Sequence, residues 1–266
     1  MLSFCDEKSV FKRHFYIQNL MKMSMLESTN SILIVEDDRD LVKLIKINLE
    51  DQGYNIYTAG DGLEALELFK EKGPSLVILD IMLPKLDGFE VCKRIRKEDR
   101  KVPIMMLTAK AEEVDTILGL ELGADDYMTK PFSVRELTAR VKAIFRRIKV
   151  DQEQDGNLPD EFIYDHLKIY PNKRKVTLSG KTIDLTSKEY DLLLLFSSNP
   201  GKAYSREQLL NKVWGYSYEG YSHTVNSHIN RLRSKIEVDP SNPHFIKTVW
   251  GVGYRFTDPE DAKENA

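Results

Sequence analysis

The sequence predicts two joined domains: a doubly wound α/β domain on a parallel five-stranded sheet, then a smaller α+β domain of short strands, three helices and a closing hairpin. Three observations predict this. Residues 31–148 repeat an apolar strand followed by an amphipathic helix five times, which builds a parallel sheet covered on both faces. Residues 161–257 carry short strand-like runs, then three helices of which the first two are capped, then two strands around a glycine-bearing turn. The length, 266 residues, suits two domains better than one.

The first domain opens with Ser31–Val35, a five-residue apolar strand that runs straight into Glu36-Asp37-Asp38. Leu41, Leu44, Ile45 and Leu49 then recur at helical spacing, with Gly53 as the stop. Tyr54–Ala59 alternates as a strand. Asp61 and Glu64 form a capping-box pattern for a helix bearing Ala65, Leu66 and Phe69, closed by Gly73. Leu76–Leu79 is a strand buried on both faces that ends abruptly in Asp80, and Pro84 and Asp87-Gly88 mark the following loop. Val91, Cys92 and Ile95 define the next helix. Val102–Leu107 is a strand ending at Thr108-Ala109. Val114, Ile117, Leu118 and Leu122 mark a helix closed by Gly123. Ala124–Met128 is the last strand and ends at Thr129-Lys130-Pro131. Ser133 and Glu136 cap a final helix with Leu137, Val141, Ile144 and Phe145 inward.

In an open parallel sheet, ligands bind outside the carboxyl ends of the strands. A single aspartate there would be an ordinary helix cap or loop acid. Here the strand ends bring several acids, a hydroxyl and an ammonium toward one edge. That set suits a hard divalent cation together with a phosphoryl group.

The composition, 41% hydrophobic and 30% charged, is that of a globular protein, and no apolar run reaches the roughly 18–20 residues of a membrane span. Two cysteines, Cys5 and Cys92, make no disulfide framework, so a reducing, cytoplasmic setting without membrane attachment is expected. Residues 31–147 hold 19 basic and 22 acidic residues, whereas residues 159–257 hold 14 and 10. The mildly basic second half permits nucleic-acid binding. Residues 1–30 show no signal-peptide core. With Met21, Met23 and Met25 close together, the folded protein is expected to start near Met25, the stretch before it being upstream or appended.

The first half resembles a response-regulator receiver domain. The resemblance rests on V-E-D-D at 35–38, L-D-I-M-L-P at 79–84, L-T-A at 107–109 and G-A-D-D-Y-M-T-K-P-F-S at 123–133. It implies a flavodoxin-like fold with Asp80 as phosphoacceptor. It also implies Mg²⁺ held by Asp37, Asp80 and the Met82 carbonyl, with Glu36 acting through the acidic pocket. Thr108 and Lys130 would contact the phosphoryl oxygens, and Thr108 with Tyr127 would form the switch. Relatives dimerise through ion pairs. Glu121 with Lys142, and Asp126 with Arg140, match two of these, while Leu118 stands where the basic partner of Glu136 is expected.

Residues 149–160 are polar, aperiodic and carry Gly and Pro, so they are expected to be a linker. Strand-like runs follow at Phe162–Tyr164, Leu167–Tyr170, Lys175–Ser179 and Lys181–Leu185, the last two joined by Ser179-Gly180. Thr186 with Glu189, and Ser205 with Gln208, cap two helices. A third runs from His223 to about Glu237 with Val225, Ile229, Leu232 and Ile236 as its apolar stripe. Phe245–Val249 and Tyr254–Thr257 flank Trp250-Gly251-Val252-Gly253, and residues 258–266 form a tail.

This half resembles the winged helix-turn-helix of the OmpR/PhoB class of transcription factor, through L-T-S-K-E-Y at 185–190, H-T-V-N-S-H-I-N-R-L-R-S-K-I at 223–236 and W-G-V-G-Y-R-F at 250–256. Opposite the apolar stripe the third helix carries His223, Ser227, Asn230, Arg231 and Ser234, flanked by Arg233 and Lys235. A helix fits the DNA major groove. Arg231 is expected to read base edges, Thr224, Arg233 and Lys235 to lie nearer phosphates, and Arg255 to reach the minor groove. His223 and Asn230 stand where relatives often carry arginine, which predicts weaker unspecific binding and a smaller salt dependence. Loop 215–221, with three tyrosines, is expected to meet RNA polymerase.

The expected function is a DNA-binding transcriptional regulator of a two-component system. A sensor histidine kinase would phosphorylate Asp80, promoting homodimerisation on promoter DNA with direct-repeat half-sites, as in relatives. Two other classes compete. A phosphotransferase of haloacid-dehalogenase type needs an acid two residues after the nucleophile, where this chain has Met82. A constitutive DNA binder would need no acidic pocket, although Leu118 weakens the expected dimer contact.

Overall fold

The computed structural model of the protein describes residues 30–108, 119–120, 122–153, 158–215 and 222–258. The first domain alternates β1 (Ser31–Val35), α1 (Arg39–Glu50), β2 (Asn55–Ala59), α2 (Gly62–Lys72), β3 (Leu76–Asp80), α3 (Gly88–Glu98), β4 (Ile104–Thr108), β5 (Asp126–Thr129) and α4 (Val134–Glu153). The sheet order is β2-β1-β3-β4-β5 with every pairing parallel. Strands β1, β3 and β4 are buried at every position, as their unbroken apolar runs require.

Alternate residues of each strand serve opposite faces. Ile32, Ile34, Ile78 and Leu107 pack with Ile45 and Leu49 of α1 and with Leu137 and Val141 of α4. On the other face Leu33, Val35, Val77 and Leu79 pack with Phe69 of α2 and with Val91 and Ile95 of α3, in a cluster that runs on into the second domain. Because β1 lies between β2 and β3, the order reverses there and opens a crevice at the carboxyl ends.

Helix ends follow the capping chemistry. Asp38 accepts from the backbone N–H groups of Asp40 and Leu41, and Asp61 from those of Leu63 and Glu64. Glu64 reaches back one residue further than a capping box does, accepting from the Gly60 N–H at 2.8 Å. Gly73 ends α2 in the left-handed conformation, φ 55°.

In the second domain β6 (Phe162–Tyr164), β7 (Leu167–Tyr170), β8 (Lys175–Leu178) and β9 (Lys181–Ile183) form an antiparallel meander. The β8–β9 turn places Ser179 and Gly180 at φ 49° and 80°, the double positive φ of a tight hairpin. Helix α5 (Ser187–Ser197), strand β10 (Ala203–Ser205), helices α6 (Arg206–Trp214) and α7 (Ser222–Ile236), and strands β11 (Ile246–Val249) and β12 (Gly253–Phe256) complete it. Both expected capping boxes form, at Thr186/Glu189 and Ser205/Gln208.

Three boundaries differ from expectation. Helix α4 continues to Glu153, so the linker expected from residue 149 begins as helix. Polar composition alone does not separate an exposed helical turn from a linker. Strand β5 begins at Asp126 rather than Ala124. Strand β10 was not expected: it is three residues long and pairs with β12 in the order β10-β12-β11. Of the helix expected at 112–122, Val114, Ile117 and Leu118 lie outside the described residues, as do residues 1–29, 154–157 and 259–266.

Candidate functional site

Asp80 ends β3 with its side chain almost wholly buried, and Glu36 does the same one residue past β1. Lys130, just past β5, bridges them: its Nζ donates to Glu36 Oε2 at 2.6 Å and to Asp80 Oδ2 at 2.8 Å. The Lys130–Pro131 peptide is cis. Asp37 completes the acidic set from an exposed position, and ligand oxygens of Glu36, Asp37 and Asp80 all lie within 4.8 Å of one another. Met82 is exposed, and its backbone N–H donates to Asp80 Oδ1 at 3.3 Å.

The loop after β3 is drawn tightly over this site. The Gly88 N–H donates to the Ile81 carbonyl at 2.9 Å, and a Cβ at Gly88 would stand 2.1 Å from the Asp80 carbonyl oxygen. Only glycine permits that approach. Lys85, with φ 64°, donates to the α2 cap Asp61 and ties the loop tip to the sheet edge.

Electrostatics follow from the burial. Desolvation pushes the Glu36 carboxyl above its ordinary value; the Lys130 hydrogen bond opposes this and the Asp80 charge adds to it. Burial by itself would lower Lys130, but its hydrogen bonds to Asp80 and Glu36 outweigh that and raise it. The ammonium therefore keeps its proton between two acids. Thr108, at the end of β4, is buried, and its carbonyl accepts from the Lys130 N–H at 2.6 Å. Tyr127 is also buried, in β5.

Among the residues expected at a dimer interface, Arg140 and Asp126 are 3% and 2% exposed and pair within one chain at 3.1 Å. Glu136, expected to want a partner across the interface, bonds Arg140 in its own helix at 2.7 Å. Lys142 is exposed, and Leu118 and Glu121 lie outside the described residues.

The face of α7 expected to meet DNA is only partly open. Asn230 and Ser234 are exposed, but Ser227, expected on the DNA-facing side, and Thr224, expected near phosphates, are buried. Other residues of the helix are engaged by the receiver and by the hairpin. Arg231 Nη1 donates to the Leu120 carbonyl at 2.7 Å and Nη2 pairs with Glu189 at 2.7 Å. Arg233 is turned inward, donating to the Ile246 carbonyl at 2.9 and 2.6 Å and to Thr248 at 2.9 Å, so it anchors β11. Lys235 pairs with Glu189 and donates to the Asp184 carbonyl. Arg255 sits half-buried on β12. Of loop 215–221, only Gly215 is described, and His223 is helical without a described side chain.

Two residues join this region that the sequence reading did not single out as functional. Trp214 Nε1 donates to the Asp125 carbonyl at 2.8 Å, and His228 Nε2 approaches the same oxygen at 3.2 Å. Trp214 looked like an ordinary core position of α6. His228 follows the stripe residue Val225 by one helical turn, a spacing that would have placed it beside the core.

Comparison with known proteins adds two family matches. Residues 32–142 match "Response regulator receiver domain" and residues 180–256 match "Transcriptional regulatory protein, C terminal". The alkaline phosphatase synthesis transcriptional regulatory protein PhoP of Bacillus subtilis (strain 168) is 45% identical over 233 residues, covering 86% of this chain and 97% of its own. Two solved RitR mutants are 29% identical, with TM-scores of 0.68 and 0.70, each match covering 86% of this chain and 99% of the solved one.

Proposed function

The chain belongs to the response-regulator family, as a two-component transcriptional regulator that joins a receiver to an OmpR/PhoB-type DNA-binding domain, and from that premise we propose that Asp80 is its phosphoacceptor. The observation that carries the proposal is the Lys130 bridge between Asp80 and Glu36 at the carboxyl edge of the sheet. A carboxylate oxygen of Asp80 attacks the phosphorus of a kinase phosphohistidine. The P–N bond breaks, the imidazole leaves and takes up a proton, and an acyl phosphate remains on Asp80.

Glu36, Asp37 and Asp80 offer closely spaced carboxylate oxygens, a donor set that suits Mg²⁺. When bound there, Mg²⁺ would offset the charge of an anion attacking an anion. The chain's own residues supply the remainder. Lys130 carries a fixed positive charge 2.8 Å from the nucleophile. Thr108 ends the neighbouring strand, where its hydroxyl would meet a phosphoryl oxygen. Positioning and electrostatics of this kind are nearly all that phosphoryl transfer requires. Met82, two residues on, provides no acid to turn the acyl phosphate over, which favours a lasting signal over an enzyme's turnover.

The proposed domains are the receiver at 31–148 and the winged helix at 161–257, with Arg231 reading bases, Lys235 near the backbone and Arg255 reaching the minor groove. Movement of Thr108 toward the phosphoryl group would free the space into which Tyr127 turns, and this would reshape the surface of the helix expected at 112–122, β5 and α4 for a two-fold dimer. The test is intact-mass measurement after incubation with a small acyl-phosphate donor and Mg²⁺. One phosphoryl per chain is expected, absent in Asp80→Asn and with chelator present. Full labelling of Asp80→Asn would refute the assignment.

A further inference from the structure

Two short basic runs, K-E-D-R-K at 97–101 and K-R-K at 173–175, are far apart in the chain and face each other in the fold. Between them lies a cleft of about 460 Å³. Its receiver wall, past the end of α3, carries Lys97, Arg100 and Lys101. Its other wall, from the turn before β8, carries Lys173, Arg174 and Lys175. All six are exposed except Arg174, which is half-buried. At one side the walls touch, where Ser187 Oγ at the start of α5 donates to the Lys101 carbonyl at 2.7 Å.

Three carboxylates share the lining with these six cations, and two of the three are engaged. Glu98 pairs with Lys70 at 2.9 Å, and Asp99 Oδ1 accepts from the Lys101 and Val102 N–H groups at 2.6 and 3.2 Å. Arg174 is held in place: its guanidinium lies over the Tyr190 ring, 4.3 Å from the centroid, and pairs with Asp191 at 3.0 Å. The first turn of α5 adds the positive end of a helix dipole to the same cleft. Like charges gathered between low-dielectric walls repel one another and focus a positive field on whatever enters.

We propose that this cleft binds a small molecule carrying two or more phosphates, which bridges the two domains. A phosphate offers several acceptor oxygens, each able to take charge-assisted bonds from lysine and arginine, and two phosphates give one to each basic wall. The volume is that of a small-molecule site. A ligand on both walls offsets the repulsion between them and binds only while the walls face each other, so by linkage it stabilises that arrangement. The site is separate from Asp80 and from the DNA-reading helix, and it stands whether or not those assignments hold. Inorganic polyphosphate and nucleoside polyphosphates share the required chemistry.

Isothermal titration of the full chain with tripolyphosphate, with chelator present so that no metal bridges phosphate to the acidic pocket, tests the site. One ligand per chain is expected. Lys97→Glu with Arg100→Glu on one wall, and Lys173→Glu with Lys175→Glu on the other, should each weaken binding at least about tenfold. Lys93→Glu with Lys202→Glu makes the same change of charge at exposed positions outside the cleft and should weaken it less than about threefold. Absence of binding, or equal weakening by all three pairs, overturns the site and leaves only unspecific attraction of a polyanion. Weakening by one wall's pair alone overturns the bridge. Citrate binding as tightly as tripolyphosphate overturns the phosphate assignment. ATP binding more tightly than tripolyphosphate identifies a nucleoside polyphosphate as the ligand, and weaker or equal binding identifies the inorganic form.

Discussion

Arg231 lies between a carbonyl of one domain and a carboxylate of the other: its guanidinium is 2.7 Å from Leu120 O and 2.7 Å from Glu189 Oε1. The same cation is the strongest candidate for base readout, and a bidentate arginine contact contributes about 1–3 kcal/mol of discrimination. Arg231→Ala should therefore lose roughly tenfold or more in specific duplex affinity while phosphorylation of Asp80 stays at wild-type extent. Gel-shift titration alongside intact-mass measurement checks both. Unchanged affinity would move base readout to another residue.

His228 makes the docking pH-dependent. Burial first, then the nearby Arg231 and Lys188 charges, hold its imidazole well below its ordinary value; Arg96 adds to this, and the hydrogen bond to the Asp125 carbonyl opposes it. The Asp125 carboxyl also faces this seam but is engaged by Arg96. Undocked, His228 loses the burial that the receiver supplies and moves back toward its ordinary value of 6.5, so protons favour the undocked form. Docking is at full strength above that pH and weakens as pH falls below it, by up to about tenfold per unit. Trp250 is 90% exposed and Trp214 is buried, so Trp250→Phe leaves a single reporter at the seam. Its fluorescence should shift toward an exposed tryptophan between pH 7.5 and 5.5, about a tenfold change in docking. His228→Phe should abolish the shift. A shift that persists in that variant would assign the pH response elsewhere.

Gly88→Ala tests the loop over Asp80. An added Cβ would stand 2.1 Å from the Asp80 carbonyl and 2.8 Å from Ile81 Cα, both backbone atoms that yield little. Overpacking of this kind costs about 1–3 kcal/mol. Thermal unfolding should begin several degrees lower, and labelling of Asp80 should fall as the loop shifts. A variant with wild-type melting temperature would show that the loop is not held as described.

Mg²⁺ should stabilise the receiver, because Glu36, Asp37 and Asp80 form its site only when folded. At ten times its dissociation constant a ligand adds about 1.4 kcal/mol. Melting temperature should rise with Mg²⁺, return with chelator, and respond far less in Asp37→Asn, whose side chain is exposed and whose loss leaves the fold intact. An equal rise in Asp37→Asn would exclude Asp37 as a ligand.

Much of this was legible in the chain because the signals are local. Asp80, Glu36, Thr108 and Lys130 each end an apolar strand, and parallel topology then forces them to one edge. Asp126 and Arg140 were expected as partners across a dimer interface; within the chain they pair with each other, and sequence alone does not distinguish a pair that closes within a chain from one that closes between chains. The domain seam was not legible, since the receiver contributes the Leu120 and Asp125 carbonyls, and a backbone oxygen leaves no residue signature. Arg233 looked like a phosphate contact because a helical wheel ignores the β11 carbonyl beside it. Strand β10 offered one inward side chain, Tyr204, too little for a period-two pattern.

The central claim is that chemistry at Asp80 controls the DNA-binding domain. The most direct measurement is duplex affinity of the full chain with and without beryllofluoride and Mg²⁺, for the wild type and for Asp80→Asn. The account predicts tighter binding by the treated wild type and no response from Asp80→Asn. An untreated wild type that binds as tightly as the treated one, or an Asp80→Asn protein that responds equally, would contradict it.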